Sequence, residues 1–544
     1  MRCLSAILFL AGSAFAQLTS FPKPAYFRET LSRPVTAVEL RPPVHLPDYV
    51  VGGKLELSLR SYLDLVMANN TDIAIQRLTV DVAQNAITRA FAIFDPLGTA
   101  SFSSTRQTTA SLDSLAGAST LVQLTQPASF GYQGMLPSGL QYNVNFFGQK
   151  LSTNSGFYSY NPALNASLGF TFVQPLIRNR GAFINRLPIT IARSRLRKTE
   201  YDLKSSLLSL VSAAENIYWD AVLARENLRV AESARDLADQ ALKRSQRELE
   251  LGALSPLDIF NPEQQFASAQ VGVSQARFLV EQEENILRRQ IGADLDRDVR
   301  KLPIVLTETV APDTGASPVD GEQEVTKAMA ARPDIKSAVE NLDLDDLQIH
   351  SARNELLPNL SLTGGYTSQG VGGPCYPTTF FNCGVAGAPL VVPGGFGDAL
   401  SQMFGFGYPM YSFGLQLTLP IKNRQASADM SDALVSKKRD ALNVRTTQQQ
   451  VRLDVLSAVS QLESSREAVK LAIVARDLAQ KYLDAEQKKL ELGTSQVFFV
   501  LQAQGSLVAA ESAVVQNAVN YRRNRMNLLR STGELLEERG IAAQ

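Results

Sequence analysis

The sequence predicts an internally duplicated α+β membrane protein, in which strands with one polar face alternate with very long helical hairpins. Three observations lead to this prediction: a repeated stretch of sequence, a hydrophobic period that switches from helical to two, and long runs without glycine or proline. Residues 234–252 and 475–493 are identical at eleven of nineteen positions without gaps, at an offset of 241 residues. A duplication of this size indicates a fold built from two equivalent halves.

A second match lies nearer the start of each half. Residues 70–73 and Pro96 correspond to residues 332–335 and Pro358, at an offset of 262 residues. Each half therefore runs from short helices through a proline and a strand region into a very long helix.

The bulk composition excludes several classes of protein. The 544-residue chain carries 53 basic and 53 acidic residues, whereas a nucleic-acid-binding protein normally shows a basic excess. Two histidines and three cysteines leave little material for a metal site, and no phosphate-binding loop or nucleophile elbow occurs. We therefore expect no metal, no cofactor and no enzymatic activity, and we interpret His350 and Trp219 as structural residues.

The first residues have the pattern of an export signal. Arg2 precedes an apolar run over residues 4–11, which is followed by small residues ending at Ala16. This predicts a signal peptide over residues 1–16, with a buried first helix as the weaker alternative. Ser13 stands where a lipidated cysteine would be, so we expect export without lipidation.

The first half continues with an arm, short helices and strands. Residues 17–53 are rich in proline and predict an extended arm, and residues 54–95 predict the first short helices. Residues 96–175 then predict the first strands. The clearest alternating segments of both halves are residues 141–146, 165–174, 360–367 and 412–419.

Two interpretations of these strands are open. Segments of roughly ten residues with one small polar face are typical of membrane strands that separate lipid from water. An antiparallel sheet with one solvated face fits each strand equally well. The lack of charges on the alternating segments favours the membrane. Since no run of eighteen apolar residues follows the signal, we expect no transmembrane helix, and any spanning part would have to be a closed barrel.

The long hairpins are predicted by what their sequences lack. Residues 189–251 and 421–492 contain no glycine or proline, which allows helices of roughly 95 to 105 Å. The predicted segments of the chain are a first hairpin at 176–293, a linker at 294–324, second short helices at 325–357, second strands at 358–420, a second hairpin at 421–535 and a tail at 536–544. An alanine-rich seam along the first long helix favours close packing and oligomerisation.

The second strand region contains a long loop rich in glycine and proline. Cys375 and Cys383 lie eight residues apart in this loop. In an oxidising compartment we expect them to form a disulfide, and two free thiols are the alternative.

The order of these segments resembles the TolC-type outer membrane efflux protein family. Residues 57–96 resemble the opening helices of the family, Gln174-Pro175-Leu176 resembles its strand-to-helix junction, and Leu251-Gly252 and Leu492-Gly493 resemble its hairpin tips. No single motif is decisive, but their doubled order is specific. The resemblance covers about residues 54–535.

The resemblance implies an assembly and a function. It implies a homotrimer in the bacterial outer membrane, in contact with its lipid, whose copies each give about four strands to a twelve-stranded barrel and their helices to a long periplasmic tunnel. It further implies a passive exit duct for efflux or secretion, which docks an inner-membrane transporter through a periplasmic adaptor protein. The expected adaptor-docking tips are Leu251, Gly252, Ala253, Leu492, Gly493 and Thr494.

The sequence departs from the family pattern in two places. Residues 129–149 leave room for an extra hairpin, which would either enlarge the barrel or fold outside it. The family often places acidic residues six and nine positions after the second tip glycine, where this chain has Phe499 and Gln502. In the first half the sixth position is Asp258, either part of a negative ring at the tunnel constriction or an acid that favours the start of a helix.

Two other functions remain open from the residues alone. A periplasmic adaptor also carries a long helical hairpin, but usually one copy flanked by compact β domains. A structural surface protein with coiled-coil stalks and no channel activity is the second alternative. Duplication and uncharged alternating strands favour the duct over both.

Overall fold

A computed structural model describes residues 42–111, 116–156, 158, 160–252, 255–310, 318–374 and 394–541. The predicted signal peptide, most of the predicted arm, Ala253, and the cysteines 375 and 383 lie outside these described residues. The expected disulfide therefore stays a prediction.

The first half runs from a short strand pair to a long helical hairpin. Its elements are β1 (Val50–Val51), β2 (Lys54–Leu57), α1 (Leu59–Asn69), α2 (Thr71–Phe91), β3 (Leu97–Phe102), β4 (Thr105–Ala110), β5 (Thr120–Met135), β6 (Gln141–Thr153), β7 (Ala163–Pro175), α3 (Ala182–Asn185), α4 (Leu187–Glu250) and α5 (Phe260–Gln290). Short 3-10 turns cover Pro47–Tyr49 and Ala92–Phe94.

The second half repeats this order with fewer strands. Its elements are β8 (Ile304–Leu306), α6 (Gly321–Ala331), α7 (Pro333–Glu355), β9 (Asn359–Gly372), α8 (Phe396–Phe404), β10 (Tyr408–Thr418), α9 (Arg424–Glu491), α10 (Val497–Thr532) and α11 (Leu535–Glu538).

The long helices occupy the two segments that lack internal glycine. With 64 residues in α4 and 68 in α9, they are about 96 and 102 Å long at 1.5 Å per residue. Each packs along a shorter returning helix, α5 or α10, to form a hairpin. Nearer the sheet, α2, α4, α7 and α9 lie side by side in that order.

The main hydrophobic core lies where the two halves meet, midway along α4. There β2 pairs with β1 and β8, and α1, α4, α10 and α11 pack around this small sheet. Tyr62 and Tyr218 are fully buried with ring centroids 5.5 Å apart, and the Tyr218 hydroxyl donates to the Leu57 carbonyl at 3.1 Å. Burial raises the pKa of both phenols. This core fixes the two hairpins relative to each other.

The large sheet is antiparallel and runs in the order β10-β9-β7-β6-β5-β3, with β4 also paired to β5. β3 and β4 pair one after the other with the same edge of β5. The break between β3 and β4 lies opposite Pro127 of β5, a residue that has no backbone N–H to donate. The sheet thus has six strand positions rather than the expected four or so. The difference is hairpin β5–β6, which lies inside the sheet between β3 and β7.

Candidate functional site

The large sheet presents two chemically different faces. Because successive side chains of a strand point to opposite sides, the pairing register assigns each residue to one face. One row across the sheet contains Gly98, Tyr132, Val144, Phe170, Tyr366 and Tyr411. The adjacent row contains Thr99, Gly131, Asn145, Gly169, Thr367 and Met410. We call the face of the first row the apolar face and that of the second row the polar face.

The apolar face is exposed although it carries large side chains. Phe130 is 58% exposed, Phe413 76% and Tyr411 84%. On the strands of this sheet the charged residues are Arg106 and Lys150, both toward the end remote from the long helices. An uncharged, aromatic band of this extent is typical of a surface that contacts lipid.

Helix α8 lies against the apolar face at the end remote from the long helices. Ala399 and Met403 are fully buried there, beside Ala166. The Ser368 hydroxyl donates to the Met403 carbonyl at 2.6 Å, and a side chain at Gly370 would collide with the Ala399 carbonyl. Small residues therefore make room for α8 on the apolar side.

Each long hairpin turns at a glycine in the left-handed conformation. Gly252 has a φ of 73° and Gly493 a φ of 70°, values that residues with a Cβ rarely adopt. The Gly252 amide donates to the Leu249 carbonyl and the Gly493 amide to the Leu490 carbonyl, both at 3.0 Å. The two tips, predicted from the repeat, thus share one backbone geometry.

Both tips expose apolar side chains. Leu251 is 83% exposed and Leu492 78%. Phe260, 61% exposed, follows the first tip, while Phe498 and Phe499 follow the second with rings edge to face at 5.6 Å. Exposed apolar side chains grouped at the end of a rod suit contact with another protein.

The second tip is held by a small hydrogen-bond network. Glu486 accepts from the Lys489 ammonium at 2.7 Å and from the Ser495 hydroxyl at 2.8 Å. The bond from Lys489 and then that from Ser495 lower the pKa of the Glu486 carboxyl below its usual value. Thr494 donates through its hydroxyl to the Lys489 carbonyl at 3.0 Å. This network fixes the exposed backbone around Gly493.

The three expected constriction residues lie close to the tips. Asp258 is exposed in the turn before α5, its amide donating to the Ser255 carbonyl at 2.9 Å. Within the described part of the chain its carboxylate caps no backbone N–H of α5. Phe499 and Gln502 are exposed on the first turns of α10. Asp258 and Phe499 are thus on separate hairpins, and a ring of either needs further copies of the chain.

Trp219 and His350 have structural surroundings. Trp219 is 3% exposed, with its indole N–H 3.4 Å from Glu215 and the Arg522 guanidinium 5.8 Å from its ring centre. His350 packs edge to face on Phe183 at 5.6 Å. Over the described ranges, no group of three or more potential metal ligands occurs.

One helix departs from the expectation of no transmembrane helix. By length and composition α10 could cross a membrane, and it is the one such helix among the described residues. The sequence shows no uninterrupted apolar run there, because glutamines and serines interrupt it, but the average over eighteen residues is apolar. In the fold α10 lies along α9 as the second arm of a hairpin.

Three features of the site escaped sequence reasoning. Strands β3 and β4 are only six residues each. Thr99 and Ser101 alternate with Ala100 and Phe102 in β3, whereas β4, with the sequence TRQTTA, shows no polar and apolar alternation. Helix α8 follows a glycine-rich stretch that reads as loop. Arg539 pairs with Glu215 across 324 residues, a separation that no local pattern reveals.

Comparison with known proteins shows that this chain is similar to outer membrane efflux proteins. Residues 325–534 match the family model described as "Outer membrane efflux protein". The chain is 23% identical over 342 residues to the "Probable efflux pump outer membrane protein TtgC" of Pseudomonas putida. That alignment spans 62% of this chain and 62% of the relative's own length.

Solved structures show the same fold over most of the chain. The CmeC outer membrane channel of Campylobacter jejuni is similar with a TM-score of 0.59 at 18% identity, covering 88% of this chain and 86% of that one. The outer membrane protein VceC of Vibrio cholerae is similar with a TM-score of 0.59 at 14% identity, and the match covers 87% of this chain and 96% of that one.

Proposed function

We propose that this chain is a member of the TolC-type outer membrane efflux protein family and that it is a passive exit duct of the bacterial outer membrane, for efflux or secretion. One observation supports the proposal above all: a sheet with an apolar and a polar face continues directly into two helical hairpins. The apolar face suits lipid and the polar face suits a water-filled path. The helices would extend that path through the periplasm.

A single copy cannot complete this duct. Among the residues that the structure describes, the sheet has two unpaired edges, β10 on one side and β3 with β4 on the other. Unpaired backbone groups are costly in lipid, so the edges must pair with other copies of the chain. We propose a homotrimer, the assembly that the family resemblance implies.

The hairpin tips are the proposed docking surface. Leu251 and Leu492 expose apolar side chains beside the tip glycines, directly after the last residues of α4 and α9. We propose that a periplasmic adaptor protein binds there and connects the duct to an inner-membrane transporter, which supplies the energy. Ala253 and Thr494 complete the two docking tips.

The decisive experiment combines location, mass and conductance. Unheated protein extracted with detergent from an outer membrane fraction should have three times the mass of the chain after correction for bound detergent. It should also form discrete conducting pores in a planar bilayer. Recovery as a soluble monomer without conductance would contradict the duct and favour a periplasmic adaptor or a stalk protein.

Adaptor docking is tested at Thr494. We expect Thr494→Glu to reduce cross-linking to the adaptor, since it places a charge beside the apolar tip. Thr494→Val is the matched control, because it removes the same hydroxyl bond to Lys489 without adding charge. Equal cross-linking of wild type and Thr494→Glu would place the docking surface elsewhere.

The constriction is tested at Asp258. Three copies of this exposed carboxylate would attract cations, so we expect Asp258→Asn to lower the cation preference of the pore. Asp298→Asn, an exposed acid of the linker, should leave that preference unchanged. A preference unaffected by Asp258→Asn would contradict a negative ring at this position.

A further inference from the structure

We propose that hairpin β5–β6 belongs to the membrane wall, so that each copy supplies six strand positions and three copies close an eighteen-stranded barrel. The family resemblance implies about four strands per copy and twelve in all. The inference rests on the proposed trimeric duct and concerns its width and therefore its cargo.

The hairpin is paired along both of its sides. β5 pairs with β3 and β4 on one side and with β6 on the other, and β6 pairs with β7 from Gln141 opposite Val173 to Leu151 opposite Ala163. A hairpin folded outside the wall would leave β3 beside β7. In this structure two full strands separate them.

The hairpin also keeps the two faces of the sheet. Tyr132 and Tyr142 lie on the apolar face with a ring distance of 6.0 Å, while Asn143 and Asn145 lie on the polar face. A register shift of one residue would reverse both assignments, so the pattern is specific to this pairing. With 16 and 13 residues, the strands exceed the ~9 to 11 residues that cross a bilayer.

The turn of the hairpin is fixed at the level where the helices begin. The Leu136 amide donates to the Leu140 carbonyl at 2.8 Å, which closes the turn. The Gly181 amide, just before α3, donates to the Ser138 carbonyl at 3.2 Å. Hairpin β5–β6 therefore reaches from the start of the helices to the remote end of the sheet, the full height of the wall.

The two free edges are suited to each other. All neighbouring strands are antiparallel, so β3 and β10 run in opposite directions across six positions. Every described residue of β3 and β4 is exposed, as is nearly every residue of β10. Edge β10 of one copy can thus continue the antiparallel ladder with β3 and β4 of the next.

The width of the wall follows from strand geometry. Strands ~4.8 Å apart and tilted by ~40° each occupy ~6.2 Å of circumference. Eighteen strands then give a barrel ~36 Å across, against ~24 Å for twelve. The cross-sectional area is larger by a factor of about 2.2, since diameter grows linearly with strand number.

The helices match the wider wall. Four helices per copy, α2, α4, α7 and α9, lie side by side below the sheet. At ~8 to 10 Å per helix they span ~32 to 40 Å, close to the ~37 Å of six tilted strands and well above the ~25 Å of four. The duct therefore need not narrow where the helices meet the barrel.

The consequence concerns the size of the cargo. If side chains fill ~5 Å on each side, half the spacing of packed sheets, the bore is ~26 Å. That is wide enough for two packed helices of ~10 to 12 Å each, whereas a twelve-stranded bore of ~14 Å admits one. The eighteen-stranded barrel is therefore wide enough for bulky cargo, including partly folded polypeptide.

The test is the diameter of the barrel in the assembled protein. Electron microscopy of the detergent-extracted full chain should show a wall ~36 Å across in views along its axis. A variant lacking residues 120–153, and therefore hairpin β5–β6, should show a wall ~24 Å across. A wild-type wall of ~24 Å would overturn the inference even if the protein is a trimeric pore. A particle mass other than three chains would instead overturn the proposed assembly.

A cysteine pair gives a second measurement that needs no deletion. The Ser101 and Ser129 hydroxyls are 2.7 Å apart across β3 and β5, so Ser101→Cys with Ser129→Cys should form a disulfide in a background without Cys375 and Cys383. Ser101→Cys with Ser167→Cys, three strand spacings or ~14 Å apart, should not. Cross-linking of the second pair instead of the first would place β3 beside β7 and the hairpin outside the wall.

Discussion

The ion pair between Arg539 and Glu215 predicts a large loss of stability when only the arginine is removed. Glu215 lies in α4 with 1% of its side chain exposed, and it accepts from Arg539 at 2.7 and 3.1 Å. A third donor, the Trp219 indole, lies at 3.4 Å. Arg539→Ala would therefore leave a buried carboxylate with one weak donor.

The expected magnitude follows from that burial. Removing one partner of a buried ion pair costs ~3 to 5 kcal/mol, and we expect the lower end, about 3 kcal/mol, because Arg539 is 27% exposed and water can reach the gap. Adding Glu215→Gln to Arg539→Ala removes the buried charge, so it should recover at least half of the loss. Arg476→Ala, which breaks an exposed pair with Asp477, should cost under ~0.5 kcal/mol.

The chain provides its own probe for this measurement. Trp219 is the sole tryptophan, is 3% exposed and contacts Glu215. Its fluorescence should report guanidinium unfolding of the detergent-solubilised protein at the affected core. A loss below ~1 kcal/mol for Arg539→Ala, or a double variant no more stable than the single one, would refute the reasoning about an unpaired buried charge.

Three further predictions use the same unfolding measurement. Gly252→Ala should lower the free energy of unfolding by ~1 kcal/mol, because Gly252 has a positive φ. Gly272→Ala, in the middle of α5, should raise the free energy of unfolding by ~0.5 to 1 kcal/mol. Equal effects of the two substitutions would contradict this argument from backbone conformation. Burial, and then the neighbouring Asp440, raise the pKa of Asp345 above its ordinary value. Asp345 therefore contributes its full share of the free energy of unfolding below that ordinary pKa, and this contribution is lost as the pH rises through the pKa of the folded state. Asp345→Asn should abolish this loss of stability with rising pH. Asn70→Ala removes a side-chain cap that accepts two backbone N–H bonds of α2, and should cost ~1 kcal/mol, so a neutral effect would count against the cap.

The long hairpins could be derived from sequence because their signals are local. Absence of glycine and proline allows α4 and α9 to continue, and Gly252 and Gly493 each supply the one left-handed residue that a helix end favours. The polar and apolar faces of β7 and β10 likewise follow from alternation within one strand.

The width of the sheet could not be derived in that way. Whether β6 pairs with β7 depends on contacts between segments, and the alternating residues of β6 fit a hairpin inside or outside the wall equally well. The edge formed by β3 and β4 is split opposite Pro127 into pieces too short to show a clear period. The pair formed by Arg539 and Glu215 joins the last helix to the middle of α4, beyond the reach of any local pattern.

The unequal offsets of the internal repeat describe the history of this chain. The offset falls from 262 residues at the short helices to 241 at the hairpin tips, so the first half holds 21 more residues between these points. One ancestral unit was therefore doubled, and the copies then diverged in length within the sheet. Because a hairpin leaves and returns on the same side, a strand pair can be gained or lost without moving the helices. The width of the sheet and the hairpin tips can thus evolve as separate traits.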